Sequence, residues 1–342
     1  MKARRVLVLV HEDLVPPDSL DGYTEAEISQ WQTEYDVVST LRAIGHEVMV
    51  VGVYDDLGRI RQAMREFKPH ITFNLLEEFH GNSLFDHHVA SFLELMKQPY
   101  TGCNPRGLML SHDKALTKKI LSFHRIRVPR FAVLPHGYQA RALHRLSFPL
   151  IVKSQIEEGS YGISQASIVR NEDKLRERVG YVRNKLNTPV IVEEYIEGRE
   201  LYIPILGNTR LHVMPIIELH FGDVAPGTAR IATSRLKWDA KYQSDRNVSI
   251  SNAWNLDEAL ERQLMHVGKR IYRALGLSGY ARIDVRLTED NEIFVLEANP
   301  NPDISRDGEF ALAAEAEDLS YEALLQKIIT LGGNYRGGLA LS

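Results

Sequence analysis

The polarity of the chain changes in short, regular steps. An apolar run at 6–10 predicts a first buried β-strand, and a polar, proline-bearing insertion follows at 11–26. The stretch 31–45 has helical spacing and ends at Gly45, placed as a C-cap. A strand at 46–53, a short helix at 59–67 and a third strand at 70–76 come next. Strands alternating with helices predict a parallel α/β layer. Loops at the carboxyl ends of such strands bind ligands, which points to 11–13 and 77–82.

Further on the pattern becomes α+β. A helix is expected over 111–126 with Ser111 as its N-cap, then strands at 128–134 and 148–155 around a glycine-flanked loop at 157–164. Residues 188–208 read as two strands and a tight connection, and 211–219 as a strand before an irregular stretch at 234–245. A helix at 256–275, a hairpin at 281–299 and a helical tail at 308–331 close the chain.

Composition narrows the function classes. A chain of 342 residues exceeds one small core, and its 44% hydrophobic and 25% charged content are those of a globular protein. A net charge of −4 gives no reason to expect nucleic acid or an anionic membrane as partner. Cys103 is the only cysteine, which excludes an intramolecular disulfide and a thiolate metal cluster. The apolar run at 6–10 is too short for a signal peptide and meets His11-Glu12-Asp13 at once. No other run is long enough to span a bilayer, so a cytoplasmic protein is expected.

The hairpin carries the clearest chemistry. Arg282, Asp284 and Arg286 alternate with Ile283, Val285 and Leu287, which puts the three polar residues on one face of a strand. A tight turn centred on Asp290-Asn291 would set Asp284 opposite Glu297 and Arg282 opposite Asn299. Two carboxylates and an amide are hard-oxygen ligands suited to Mg²⁺ or Mn²⁺ when phosphates complete the shell. A solvated polar face with Arg–Asp pairing accounts for the hairpin alone equally well.

Other elements add to it. Lys153 closes a buried strand and must reach an anion or water, because an unpaired buried ammonium is costly. Gly159 and Gly162 would let loop N–H groups approach phosphate oxygens, and Lys114 could project into the same space. Glu193 or Glu194 could accept from an adenine amino group, with the backbone near Ile196 completing that edge and Glu200 holding ribose hydroxyls. Each of these is by itself an ordinary surface or edge-strand residue. P-loop, GxGxxG, HExxH and GxSxG patterns are all absent, which counts against those nucleotide, zinc and serine-hydrolase sites.

In order along the chain, EEFHG, LELMKQPYTG, SHDK, FPLIVK, EGSYG, EEYIEGRE, WDAKYQSD and RIDVRLTEDNEIFVLEAN resemble the ATP-grasp ligases, and among them D-alanine–D-alanine ligase. The resemblance implies an N-terminal parallel α/β domain (1–108), a central ATP-grasp subdomain (109–205) and a C-terminal one with the metal site (206–342). It implies ATP phosphates on Lys114 and Lys153, and adenine and ribose on Glu193, Ile196 and Glu200. Mg²⁺ would sit on Asp284, Glu297 and Asn299, and Arg282 would stabilise the phosphorylated intermediate. Lys241 and Tyr242 would lie on a loop closing over the site, with Ser160 reaching towards Tyr242. Small carboxylate and amine substrates (amino acids or short peptides) and a homodimer are the expected partners.

Departures from the family fall on substrate handling. NSLFD follows His80-Gly81 where the family has a glycine before Glu-Asp, so the acidic partner of the histidine is missing. The glutamate for the first substrate's ammonium is not placed; Glu12 and Glu34 are the candidates. NPNPDISRDGEF replaces the segment of small and hydroxyl residues that binds the second amino acid's carboxylate. There, Arg306 could bind a carboxylate, whereas Asp303 and Asp307 suit a cationic or amine-bearing acceptor. The expectation is an ATP- and Mg²⁺-dependent carboxylate–amine ligase with altered substrate sites. A true D-alanine–D-alanine ligase and a non-catalytic nucleotide-binding regulatory module are the alternatives.

Overall fold

The computed structural model describes residues 3–134, 143, 145–157, 159, 161–222, 228–233 and 248–337. The first layer holds β1 (Arg5–His11), β2 (Glu47–Val53) and β3 (Ile71–Asn74), all parallel in the order β2-β1-β3. Between them run α1 (Glu25–Ile28), α2 (Gln32–Ala43) and α3 (Leu57–Phe67). β1 is apolar from Val6 to Val10 because both of its faces are covered: Leu7 and Leu9 enter one core, and Val6, Val8 and Val10 the other. Gly45 leaves α2 with φ +91°, a left-handed exit that glycine adopts without strain.

The link to the second layer is α4 (Asp86–Leu95), α5 (Pro105–His112) and α6 (Lys114–Phe123). The expected single helix over 111–126 is therefore corrected. Ser111 lies in the last turn of α5, and Asp113 caps α6 by accepting the N–H groups of Ala115 and Leu116. The second sheet is antiparallel, β4 (Phe131–Leu134), β5 (Leu150–Ser154), β6 (Ile168–Val169) and β7 (Val190–Glu194), ordered β4-β7-β5-β6. With α7 (Glu172–Tyr181) it closes its own small core, Val152, Val190 and Val192 against Leu175 and Val179.

The third sheet comprises β8 (Arg199–Gly207), β9 (Leu211–Val213), β10 (Ile217–His220), β11 (Ser249–Asn252), β12 (Tyr280–Leu287) and β13 (Ile293–Pro300). Its order is β11-β10-β8-β12-β13, with β9 added to β8. The expected strand over 211–219 is interrupted at Pro215, which has no N–H for a sheet ladder. α8 (Glu258–Ala274) covers one face, packing Leu264 and Ile271 with Ile203, Ile205 and Ile283. The tail is two helices, α9 (Glu309–Glu315) and α10 (Tyr321–Asn334), because Asp318 turns left-handed at φ 61° and Ser320 caps the second. No helix among the described residues is long and apolar enough to cross a membrane.

Candidate active site

The face of the third sheet away from α8 is polar because β12 alternates. Arg282 lies opposite Asn299 and Asp284 opposite Glu297 on β13, while Arg286 faces Glu200 and Asp284 faces Tyr202 on β8. Arg282 grips Asp284 with two hydrogen bonds, Nε to Oδ1 at 2.8 Å and Nη2 to Oδ2 at 3.0 Å. Asn299 Nδ2 donates to the same carboxylate at 2.9 Å, and the guanidinium lies 4.6 Å from the Tyr202 ring centroid. Burial opposes the charge on Arg282; Asp284 and Glu309 outweigh it and hold the proton more tightly than usual.

The turn differs from expectation although the pairing of Asp284 agrees. Three residues, 289–291, close the hairpin between Thr288 and Glu292, with Asn291 left-handed at φ 60°. That loop shifts the pairing by one, so Val285 faces Val295. A β-bulge at Leu296 inserts one residue and restores Asp284 to Glu297. The Leu296 carbonyl, left out of the ladder, accepts Lys118 Nζ at 2.8 Å.

Lysines meet this face from the other layers. On β5 and β7, Lys153 and Glu193 share a face as diagonal neighbours, with Nζ and Oε2 3.2 Å apart. Lys118 of α6 approaches the same Oε2 at 3.4 Å, and Lys114, one turn earlier, lies 3.9 Å from Glu297 and donates to the Glu157 carbonyl at 2.5 Å. Burial pushes Lys118 down to about 8, against the pull of Glu193 and with the help of Lys153. Lys118 was missed in the sequence, although its four-residue spacing from Lys114 was a usable signal. Glu193 is 1% exposed, and among the described residues its Oε1 has no hydrogen-bond partner. Glu194 accepts the Ser147 N–H at 2.9 Å, while Ile196 lines the small cavity between the sheets with Lys153, Glu193, Asp284 and Glu297. Glu200 is fixed by Arg286 at 2.6 Å and by the Tyr202 hydroxyl at 3.2 Å.

A larger cavity of about 620 Å³ opens beyond Arg282 and Asn299. Glu77 and Glu78 from the loop after β3, Asp86, His112, Asp303, Asp307 and Glu309 are on its walls. The expected carboxylate anchor is corrected here. Arg306 does not line this cavity; its guanidinium contacts Thr40 and Glu322 and stacks 4.5 Å from the Tyr321 ring. Glu12 pairs with Arg59 at the surface, and His80 is exposed beside Asp55 at 3.5 Å, so neither reaches this wall. Glu34 is buried near Asp303, and burial with that neighbour raises its carboxyl to about 7. Ser160, Lys241 and Tyr242 lie outside the described residues.

The donor set fits a hard divalent cation only with outside help. No group of three His, Cys, Asp or Glu side chains among the described residues is arranged to hold a metal. Asp284 and Glu297 on one strand pair, with the Asn299 amide beside them, supply part of an oxygen shell that phosphate oxygens would complete. The arrangement is thus a small cleft lined by Lys153, Glu193 and Asp284, with Lys114 and Lys118 close by, and a wide acidic cavity lined by Arg282, which grips Asp284.

Comparison with known proteins agrees. The D-ala D-ala ligase C-terminus family profile matches residues 117–330. An uncharacterized protein, y4sG, of Sinorhizobium fredii is 30% identical over 301 residues, 86% of this chain and 85% of the relative. The D-alanine–D-alanine ligase of Bordetella petrii is 34% identical over 73% of each chain. The crystal structure of the Bacillus anthracis D-alanine–D-alanine ligase complexed with ATP superposes with a TM-score of 0.75 at 23% identity, covering 97% of both chains. These relatives favour an enzyme over a regulatory module. With the family profile running through more than half its length, the chain belongs to the D-alanine–D-alanine ligase family and is an ATP-dependent carboxylate–amine ligase of the ATP-grasp fold.

Proposed function

We propose that this ligase forms an amide between a carboxylate and an amine other than two D-alanines, through an acyl phosphate. A carboxylate is a poor electrophile, so the γ-phosphoryl group of ATP is first transferred to it. The amine then attacks the acyl carbon and phosphate leaves. Lys114, Lys118 and Lys153 offset charge on the phosphates, and Glu193 Oε1, without a hydrogen-bond partner among the described residues, accepts from the adenine amino group. Glu200, oriented by Arg286, takes the ribose hydroxyls. Arg282 lines the larger cavity and holds Asp284 of the smaller one, where it meets charge developing on the transferring group. Asp284, Glu297 and Asn299 would hold Mg²⁺ or Mn²⁺, which when bound neutralises phosphate oxygens.

The observation that carries the altered specificity is the cavity wall beyond Arg282. It presents Asp303 and Asp307 where a second amino acid's carboxylate would need a cation, and Arg306 is turned to α2 and α10. The test is a screen of amino acids and short peptides of both chiralities for ADP and phosphate release, with mass spectrometry of the products. Amine-dependent turnover on pairs other than D-alanine is expected. Strong turnover on D-alanine alone would overturn the proposal in favour of a D-alanine–D-alanine ligase with unusual substrate loops.

A further inference from the structure

We infer that Gln165 is a positioning residue for the nucleotide, because it clamps residues 228–233 as a roof over the adenine end of the small cleft; this rests on the nucleotide reading above. Residues 228–233 form no strand, so their backbone groups need partners from elsewhere. Gln165 satisfies two of them at one residue. Its Nε2 donates to the Ala229 carbonyl at 2.9 Å, and its Oε1 accepts the Ala229 N–H at 3.2 Å. An amide end carries a donor and an acceptor side by side, which is what one residue's N–H and C=O require. The carbonyl of the next residue, Arg230, accepts the Tyr195 hydroxyl at 3.2 Å and the Arg286 guanidinium. Ile231 and Ala232 follow, and they line the cleft with Ile163, Glu193 and Ile196. No step of the mechanism above uses Gln165.

Gln165 can serve as a fixed point because its own turn is fastened. It opens a one-turn helix, Gln165–Ser167, in which the Ser164 N–H donates to Ser167 Oγ at 3.0 Å. Arg178 of α7, itself buried, donates to the same Oγ at 2.8 Å and to the Gly162 carbonyl. α7 packs on the second sheet, whereas Arg286, which holds the far side of the roof, belongs to the third. The clamp therefore ties together the two walls of the cleft. Ile231 is 4% exposed, and with Ala232 it offers the cleft apolar surface suited to the face of a purine ring. A roof fixed in advance spares the ordering cost that nucleotide binding would otherwise carry. A clamp that merely braced the fold would change stability and leave affinity alone.

Calorimetry of ATP with Mg²⁺ separates the two roles, with thermal midpoints measured in the absence of nucleotide. The purified full chain would be compared with Gln165→Ala, Gln165→Glu, Ile231→Ala and the double variant Gln165→Ala/Ile231→Ala. Gln165→Ala should weaken ATP binding about tenfold, the worth of two partly exposed hydrogen bonds. Its midpoint should stay in place, because the order it removes is local to the roof. Gln165→Glu keeps only the acceptor and should lose about threefold. Ile231→Ala removes a contact directly, and in that background Gln165→Ala should add less than about threefold, since the side chain it positions is gone. Unchanged ATP affinity in Gln165→Ala, or losses that multiply in full in the double variant, would overturn the inference while leaving the ligase reading intact. No ATP binding by the unaltered protein would overturn both.

Discussion

Replacing Glu34 with glutamine should remove a pH dependence of stability that the fold imposes. The side chain sits on α2 at 7% exposure, and among the described residues no cation is paired with it. Burial first, and the nearby Asp303 charge after it, raise its carboxyl from 4.5 to about 7, against a lowering by its own backbone N–H. The folded state therefore binds the proton more tightly than the unfolded chain does. The resulting stability is fully present below pH 4.5 and is lost as pH rises through about 7. At about 1.4 kcal/mol per unit, a rise of roughly 2.5 units corresponds to about 3 kcal/mol between those limits. Glutamine carries no proton to lose, so Glu34→Gln should gain on the unaltered protein by about that amount between pH ~5 and ~8. Urea midpoints of both proteins across that range measure it. Parallel curves would refute the reasoning, because they would mean that Glu34 is ionised in the fold at little cost.

Three further outcomes are expected. Arg286→Met leaves Glu200 buried without its guanidinium and should cost about 3–5 kcal/mol, read as a lower thermal midpoint that Arg286→Met/Glu200→Gln largely recovers. Lys118→Met should weaken ATP binding about tenfold by calorimetry. In the unaltered protein, affinity should fall as pH rises through about 8, where Lys118 loses its charge, and Lys118→Met should lack that fall. Glu297→Ala should lower Mg²⁺-dependent ADP release about 10²–10³-fold with an unchanged thermal midpoint, and full activity would remove Glu297 from the metal set.

Much of the site could be read from local pattern. The alternation through Arg282, Asp284 and Arg286 decided which residues share a face, because successive strand side chains must point to opposite sides. The same rule put Lys153 and Glu193 at the end of buried strands, where a charge needs a partner. The hairpin shows the limit of such reading. A two-residue turn was expected, and a three-residue loop with a compensating bulge delivers the same Asp284–Glu297 pair. Only the backbone reveals the compensation, and with it the Leu296 carbonyl that holds Lys118.

By itself the sequence determined the alternating strands and helices of the first layer and the polar face of β12, which follow from periodicities two to four residues long. The kind of chemistry to expect came from the motifs that resemble the ATP-grasp ligases. The tertiary structure alone decided which charged groups meet. Lys118 is buried because α6 packs where the second sheet supplies Glu193 and the third supplies the Leu296 carbonyl. Arg306 faces α2 and α10 because Asp36, Thr40 and Glu322 hold it there; Thr40 lies 266 positions away. Burial and pairing across such distances are set by how three sheets stack, and no local periodicity carries that information.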